Sequence, residues 1–328
     1  MKRILLPLLT LIFVALSLTG CVKSAEYYVF GTYYSIEVEG KNAWKQVNAI
    51  EETLKEIESK VSTNVVESDV NKINNAKANE PILVSEITAS LFRLSKDLYT
   101  ATQGAFNPAI FPLIELWEFA PSNYVGIASN IPLQEEIDAL LPLCDLDLFT
   151  LEDNQITKAH DDAKLDFGAI AKGYGADRGY EIVKNSKKAV IDVGRTFKVK
   201  GEISLMVADP RNGNFVAKAT LFNQSVATSG DYERYYFVDG KRYHHIIGKD
   251  GYPSGSNASS PIISATIIGE SATICDALST ATLVLGYEQS KSIIENFGYS
   301  ALLITETGYY LIGENVFDVI DQTRTKLN

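Results

Sequence analysis

The run LDFGAIAKGYGAD, Leu165 to Asp177, decides how the chain is read. An apolar-flanked carboxylate, Asp166, is followed by Gly168, Ala169, Ala171 and Gly173, with Lys172 among them and Asp177 closing the run. Small residues let a polyanion approach the backbone. Where such a run turns from strand to helix, the first helical amides face the ligand. Lys172 supplies a charge for a phosphate, and free carbonyls of the turn suit a hard cation. The same residues also fit a glycine-rich turn that holds nothing, so the surrounding chain has to discriminate.

The chain has 328 residues, 46% hydrophobic and 22% charged, an ordinary globular balance with room for a large core. Its formal net charge of -11 argues against a nucleic-acid partner, which calls for a basic face. Lys2 and Arg3 precede an apolar run, Ile4 to Leu18, too short to span a bilayer. The run ends in Leu18-Thr19-Gly20-Cys21, which resembles the bacterial lipobox. That resemblance implies a lipoprotein signal peptide over 1–20 and lipidation of Cys21; a short tether over 21–28 and a single domain over 29–328 are expected to follow. Two acyl chains anchor a protein stably to a membrane, so the expected location is periplasmic or otherwise extracytoplasmic. Cys144 and Cys275 then remain; an exported protein could pair them, and their apolar contexts suit buried free thiols as well.

Outward from the central run, aromatic and β-branched residues over Tyr27 to Glu39 predict strand, broken at Gly31. Apolar residues at helical spacing predict helices over 42–60 and 86–102. Residues 62–75 read as a polar turn, 104–117 as a packed loop and 133–141 as a helix ending at Pro142. Strands are expected over 81–85, 146–156 and 163–167, the last feeding a helix over 174–185. Short strands follow over 189–193, 198–200, 205–208, 217–222, 234–238 and 262–268. Helices over 271–285 and 288–297 and a hairpin over 300–312 end the chain. This mixture, without regular alternation, is an α+β pattern of one large domain.

Three further stretches bear on chemistry. In ICDALSTATLVLG, Asp276 and Thr280 stand one helical turn apart on one face, both oxygen donors of the kind Mg²⁺ accepts. Taken alone, capping or back-bonding explains such a pair more readily than a metal does. In KRYHHIIGKDGYPSG, His244 and His245 are adjacent, which suits general-base work near neutral pH but not a zinc site. In VATSGDYERYY, Ser229-Gly230-Asp231 reads as a turn between strands.

Taken in order, FGTYYSI, GAFNPAIFPLIELWEF, LDFGAIAKGYGAD, ATSGDYERYY, HHIIGKDGYP and ICDALSTATLVLG resemble the FAD:protein FMN transferases of the ApbE family, from about Phe30 to about Leu311. The resemblance implies a single α+β domain of mixed sheets and packed helices, related to the T-fold. It implies FAD as substrate with Mg²⁺, the metal held by the Ala169 carbonyl and the side chains of Asp276 and Thr280. It implies FAD contacts at Phe30, Ala105, Phe106, Asn107, Asp166, Lys172, Ile246 and Ile247, with His245 as the base. The acceptor is a Ser or Thr of an exported or membrane redox protein, and AMP departs.

The chain departs from the family pattern at three places. Gly194-Arg195 stands where a Gly-Gly pair is usual, and Gly248-Lys249 where Asp-Pro is usual. Asn64 stands where an aromatic commonly packs beside the flavin. An amide there favours water over stacking and opens an alternative, a metal-dependent FAD pyrophosphatase yielding FMN and AMP. The altered Arg195 loop leaves a third class open, a non-catalytic flavin-binding lipoprotein.

Overall fold

The computed structural model describes residues 22–120, 124–127, 131–256 and 261–328. The signal segment and Cys21 lie outside them. In chain order the strands begin with β1 (Val22–Val29) and β2 (Thr32–Glu39), then helices α1 (Ala43–Val61) and α2 (Asp69–Asn75). Strand β3 (Ile82–Leu83), helices α3 (Glu86–Ala101), α4 (Phe111–Leu116) and α5 (Gln134–Leu140), and strands β4 (Phe149–Glu152) and β5 (Gln155–Lys158) follow. Helix α6 (Ala171–Val183) leads into β6 (Lys188–Val193), β7 (Thr196–Lys200), β8 (Glu202–Ala208), β9 (Phe215–Phe222) and β10 (Ser225–Gly230). The chain ends with β11 (Tyr235–Val238), β12 (Lys241–His244), β13 (Ser264–Gly269), α7 (Ala272–Asn296), β14 (Ser300–Ile304), β15 (Gly308–Ile312), β16 (Phe317–Val319) and β17 (Thr325–Lys326).

A nine-stranded sheet, β1-β2-β6-β7-β10-β13-β14-β15-β17, organises the α+β domain. Its central strands are apolar on both faces, which is why they read as continuous hydrophobic runs. Ile191, Val193, Ala227, Ile267 and Leu303 point one way, into cores shared with α1, α6 and α7. Val190, Val226, Ile268, Leu302 and Ile304 point the other way, onto the small sheet β16-β9-β8. The period-2 alternation of side chains thus sorts one apolar strand into two cores. A further core joins α2, α3 and the β3-β5-β4 sheet to the Leu165–Ala171 run, and another gathers Trp117, Phe119 and Tyr236 around α4 and α5.

Several local expectations change. Residues 22–28, expected as a tether, form β1 and pair with β2 from Val22↔Glu39 onward. Residues 62–75 contain α2, whose N-cap Ser68 accepts from the Asn71 amide. Residues 104–117 contain a 3-10 turn at Pro108–Ile110 and α4, buried through Phe111, Leu113 and Ile114. Residues 163–167 are not a strand: Asn74 binds the Leu165 amide and carbonyl through its side chain, and Pro108 O accepts from the Asp166 amide. No ladder partner remains for that segment to join. The two helices expected at the C-terminal end are both present, run together as α7 across a non-helical break at Gly286 (φ 74, ψ -176). Cys144 and Cys275 are buried free thiols, as their apolar contexts imply. Among the described residues no helix is long and apolar enough to cross a membrane.

Candidate active site

A cavity of about 930 Å³ opens where the β1–β2 turn, the start of α6, the end of β10, the His245 loop and α7 meet. Its wall contains Phe30, Asn64, Ala105, Asn107, Asp166, Ala169, Lys172, His245, Ile246, Ile247, Asp276 and Thr280, every residue predicted for catalysis, FAD or metal but one. The exception is Phe106, which is 1% exposed and belongs to the core beside α3. The chain bends at Ala105 and Phe106, which leaves Ala105 and Asn107 on the cavity wall and the Phe106 ring in the core.

The β1–β2 turn presents Phe30 with unusual backbone. Phe30 and Gly31 both have positive φ (52° and 71°), the two-residue turn that matches the twist of paired strands. The cost of that conformation for phenylalanine is met by anchoring: its amide donates to Glu58 Oε1 at 2.7 Å. A Cβ on Gly175 would sit 2.7 Å from Leu54 and 3.5 Å from the Phe30 ring, so the glycine of α6 makes room for both.

Helices α6 and α7 cross where a Cβ on Gly173 would lie 2.3 Å from the Ala272 carbonyl oxygen. That backbone approach lets the Gly173 amide donate to Asp276 Oδ2 at 3.1 Å. Lys172 Nζ donates to Gly168 O at 2.8 Å and pairs with Asp276 Oδ1 at 3.3 Å. Thr196 Oγ1 lies 3.4 Å from the same oxygen, and Asp276 is 3% exposed. Thr280 Oγ1 is 3.2 Å from Ser229 Oγ, which also contacts Ser279 Oγ at 2.7 Å. Asp177, at the end of the central run, caps α7: it accepts from the Ala272 and Thr273 amides and both hydroxyls of Ser271 and Thr273.

The two histidines differ in kind. His244 is buried; its Nε2 faces Ser254 O at 2.9 Å and its Nδ1 accepts from the Ile246 amide, a neutral structural ring. His245 opens to the cavity, and its Nδ1 lies 3.3 Å from Arg234 O. A carbonyl only accepts, so Nδ1 carries the proton and Nε2 keeps a lone pair. Desolvation, then the Arg234 charge and His244, hold His245 well below its ordinary pKa, so the ring is neutral at pH 7. Asp166 is shifted upward by burial, against the Gly168 amide, Arg234 and Lys172, which favour its charge.

Sequence reasoning missed Arg234. It sits on the cavity wall, donates to Phe119 O at 2.7 Å, and brings a second cation opposite Asp166. Nothing in its spacing marks it out, because only the hairpin β11–β12 aims it inward. Ser229 and Gly230, read as a turn, close the central strand β10 and put their backbone on the wall. Arg195 also lines the cavity, with φ 72, an amide held by Asp192 Oδ1 and a guanidinium paired with Glu233 at 2.9 Å over the Tyr232 ring.

A divalent cation is implied by the resemblance, and the donor chemistry fits one. Asp276, the Thr280 hydroxyl and the main chain at Ala169 are oxygen donors of low total charge around one cavity wall. Such a set suits Mg²⁺, which keeps waters and takes the rest of its shell from substrate phosphates. Hard oxygen donors of this kind suit Mg²⁺, Ca²⁺ or Mn²⁺ rather than metals that prefer imidazole or thiolate.

Residues 30–303 match the ApbE family. Among curated relatives, an FAD:protein FMN transferase of Klebsiella pneumoniae is 32% identical over 72% of this chain and 74% of its own length. That of Vibrio cholerae is 26% identical over 89% and 91%. Of solved structures, the ApbE protein of Thermotoga maritima is 33% identical, with TM-score 0.79 over 87% of this chain and 94% of that one. The flavin transferase ApbE from Vibrio cholerae is 24% identical with TM-score 0.77, covering 90% and 98%, and speaks to the fold alone.

Proposed function

The chain belongs to the ApbE family, and on that premise we propose that it is an Mg²⁺-dependent FAD:protein FMN transferase. The observation that carries the reading is one cavity that collects a neutral His245 with a free Nε2, the Lys172 and Arg234 cations, and the Asp276–Thr280 oxygen pair. Phosphoryl transfer needs positioning and charge neutralisation more than covalent help. Lys172 and Arg234 neutralise the diphosphate of FAD. His245 Nε2 takes the proton of an acceptor Ser or Thr hydroxyl as its oxygen bonds to the FMN-side phosphorus. The bond from that phosphorus to the bridging oxygen breaks, and AMP leaves with the electron pair. Mg²⁺, held by Ala169 O, Asp276 and Thr280, would withdraw charge from the phosphate oxygens. Ile246 and Ile247, each under 10% exposed, wall the cavity against water.

The acceptor is then an exported or membrane redox protein carrying a Ser/Thr flavinylation motif. The Lys2-Arg3 start, the apolar run and Leu18-Thr19-Gly20-Cys21 support export and lipidation at Cys21. A fatty-acid probe should label the protein in cells and fail to label Cys21→Ala. The decisive assay incubates the protein with FAD and Mg²⁺, with and without an acceptor, and follows AMP, FMN and protein-bound flavin. Acceptor flavin matched by AMP supports the transferase; AMP without labelling would overturn it. Asn64 on the cavity wall, in place of an aromatic, favours a second reading in which water competes as nucleophile and FMN is released.

A further inference from the structure

Lys172 is placed to do more than meet a phosphate. Its ammonium spans Gly168 O, at 2.8 Å, and Asp276 Oδ1, at 3.3 Å, so it neutralises the carboxylate expected to ligate the metal. The other oxygen of Asp276 accepts from the Gly173 amide, and Thr196 Oγ1 lies 3.4 Å from Oδ1. With the side chain of Asp276 only 4% exposed, Lys172 rather than water meets this oxygen. A buried carboxylate without a counter-charge is costly. Lys172 itself is not buried, and its side chain is 23% exposed on the cavity wall.

We propose that Lys172 is the resident counter-charge of the metal position, and that it yields Asp276 to a divalent cation only when a diphosphate offers the ammonium another partner. The proposal rests on the transferase reading and concerns how that site fills. A divalent cation and an ammonium on one carboxylate oxygen repel each other. Metal binding alone therefore has to displace Lys172 from Asp276 before a diphosphate is there to receive it. With FAD present, the diphosphate receives the ammonium as the metal takes the carboxylate. Metal and FAD then each tighten the other's binding, by the reciprocity that linkage requires. An empty site keeps its buried charge paired, and FAD is drawn into a site whose metal arrives with it.

The test titrates the protein with Mn²⁺ as the probe for Mg²⁺, reading free Mn²⁺ by electron paramagnetic resonance, with and without saturating FAD. Wild type should bind Mn²⁺ at least tenfold more tightly with FAD than without. Lys172→Met and Lys172→Gln should each bind Mn²⁺ at least tenfold more tightly than wild type in the absence of FAD, with little further gain from FAD. Without metal both should melt lower than wild type and recover on adding Mn²⁺. If neither variant gains affinity while Asp276→Asn loses binding, the metal position stands and the role of Lys172 is overturned. If Asp276→Asn binds as wild type does, or no form binds Mn²⁺ even with FAD, the metal reading fails and this inference with it.

Discussion

Nδ1 of His245 faces the carbonyl oxygen of Arg234, the same oxygen that accepts the His245 amide at 3.0 Å. One acceptor thus fixes both the backbone and the tautomer of the ring, leaving Nε2 unprotonated toward the cavity. The ring's pKa is depressed, so protonation sets in below the usual histidine range. The rate of flavin transfer should therefore hold level from pH 8 down to about 6.5. A rate that halves near the ordinary histidine pKa would contradict this environment. His245→Ala should slow transfer by about 10²–10⁴-fold, with a much smaller change in FAD affinity. Equal losses in both would make it a binding residue instead.

Asp192 gives a stability prediction with a definite sign. Burial raises its pKa from 3.8 to about 7, against the Arg195 amide and guanidinium, which favour its charge. The folded state holds a proton that the unfolded state releases between those values, so a penalty grows as pH rises from 3.8 and is complete above about 7. Asp192→Asn removes the ionisation and keeps an oxygen for the Arg195 amide. Its melting temperature relative to wild type should climb from pH 4 to pH 7 and then level off. A difference that stays constant over that range would refute the assignment.

Arg195 occupies left-handed backbone at φ 72. A side chain there costs about 1–2 kcal/mol that glycine avoids. Arg195→Gly should thus be more stable than Arg195→Ala by about 1 kcal/mol, since both lose the Glu233 pair and only alanine keeps the strain. Chemical denaturation of the two variants measures the difference, and equal stabilities would mean the loop relaxes.

The close approach at Gly173 predicts the opposite. A methyl group there meets the Ala272 carbonyl oxygen and the Thr273 Cα rather than a movable side-chain tip. Gly173→Ala should destabilise the protein by about 1–3 kcal/mol and lower metal-dependent turnover, because α7 carries Asp276. Retained stability and turnover would show that α6 and α7 separate without loss.

Asn64→Tyr restores an aromatic at the cavity wall. FAD binding should tighten by about 1 kcal/mol, and the ratio of acceptor flavin to free FMN should rise. An unchanged affinity and ratio would remove the stacking explanation.

The long amphipathic segments were legible because burial imposes a period: Val47, Ile50, Leu54 and Ile57 line the buried side of α1. Strand β10 was not, since Ser225-Val226-Ala227-Thr228-Ser229-Gly230 has neither period nor bulk and is held by ladders from β7 and β13. Helix α2 was hidden for a related reason, having only Val70 and Ile73 as apolar residues and a serine cap to start it. At the site, ordered motifs brought Asp166, Lys172, His245, Asp276 and Thr280 to one cavity. Arg234 escaped although ATSGDYERYY contains it, because its approach to Phe119 O and Asp166 is set by tertiary packing, and Phe106 lies in the core because the chain bends at Ala105–Phe106.

The ladder that starts at Val22 has a mechanical corollary. Seven residues of free coil would let an anchored domain wander about 15 Å from its attachment point. With those residues locked into the edge of the sheet, a lipid on Cys21 would hold the domain with almost no leash. Were the acceptor held in the same leaflet, their encounter would be a matter of lateral diffusion, and any gap between the two proteins would have to be bridged by the acceptor's own flexible segment.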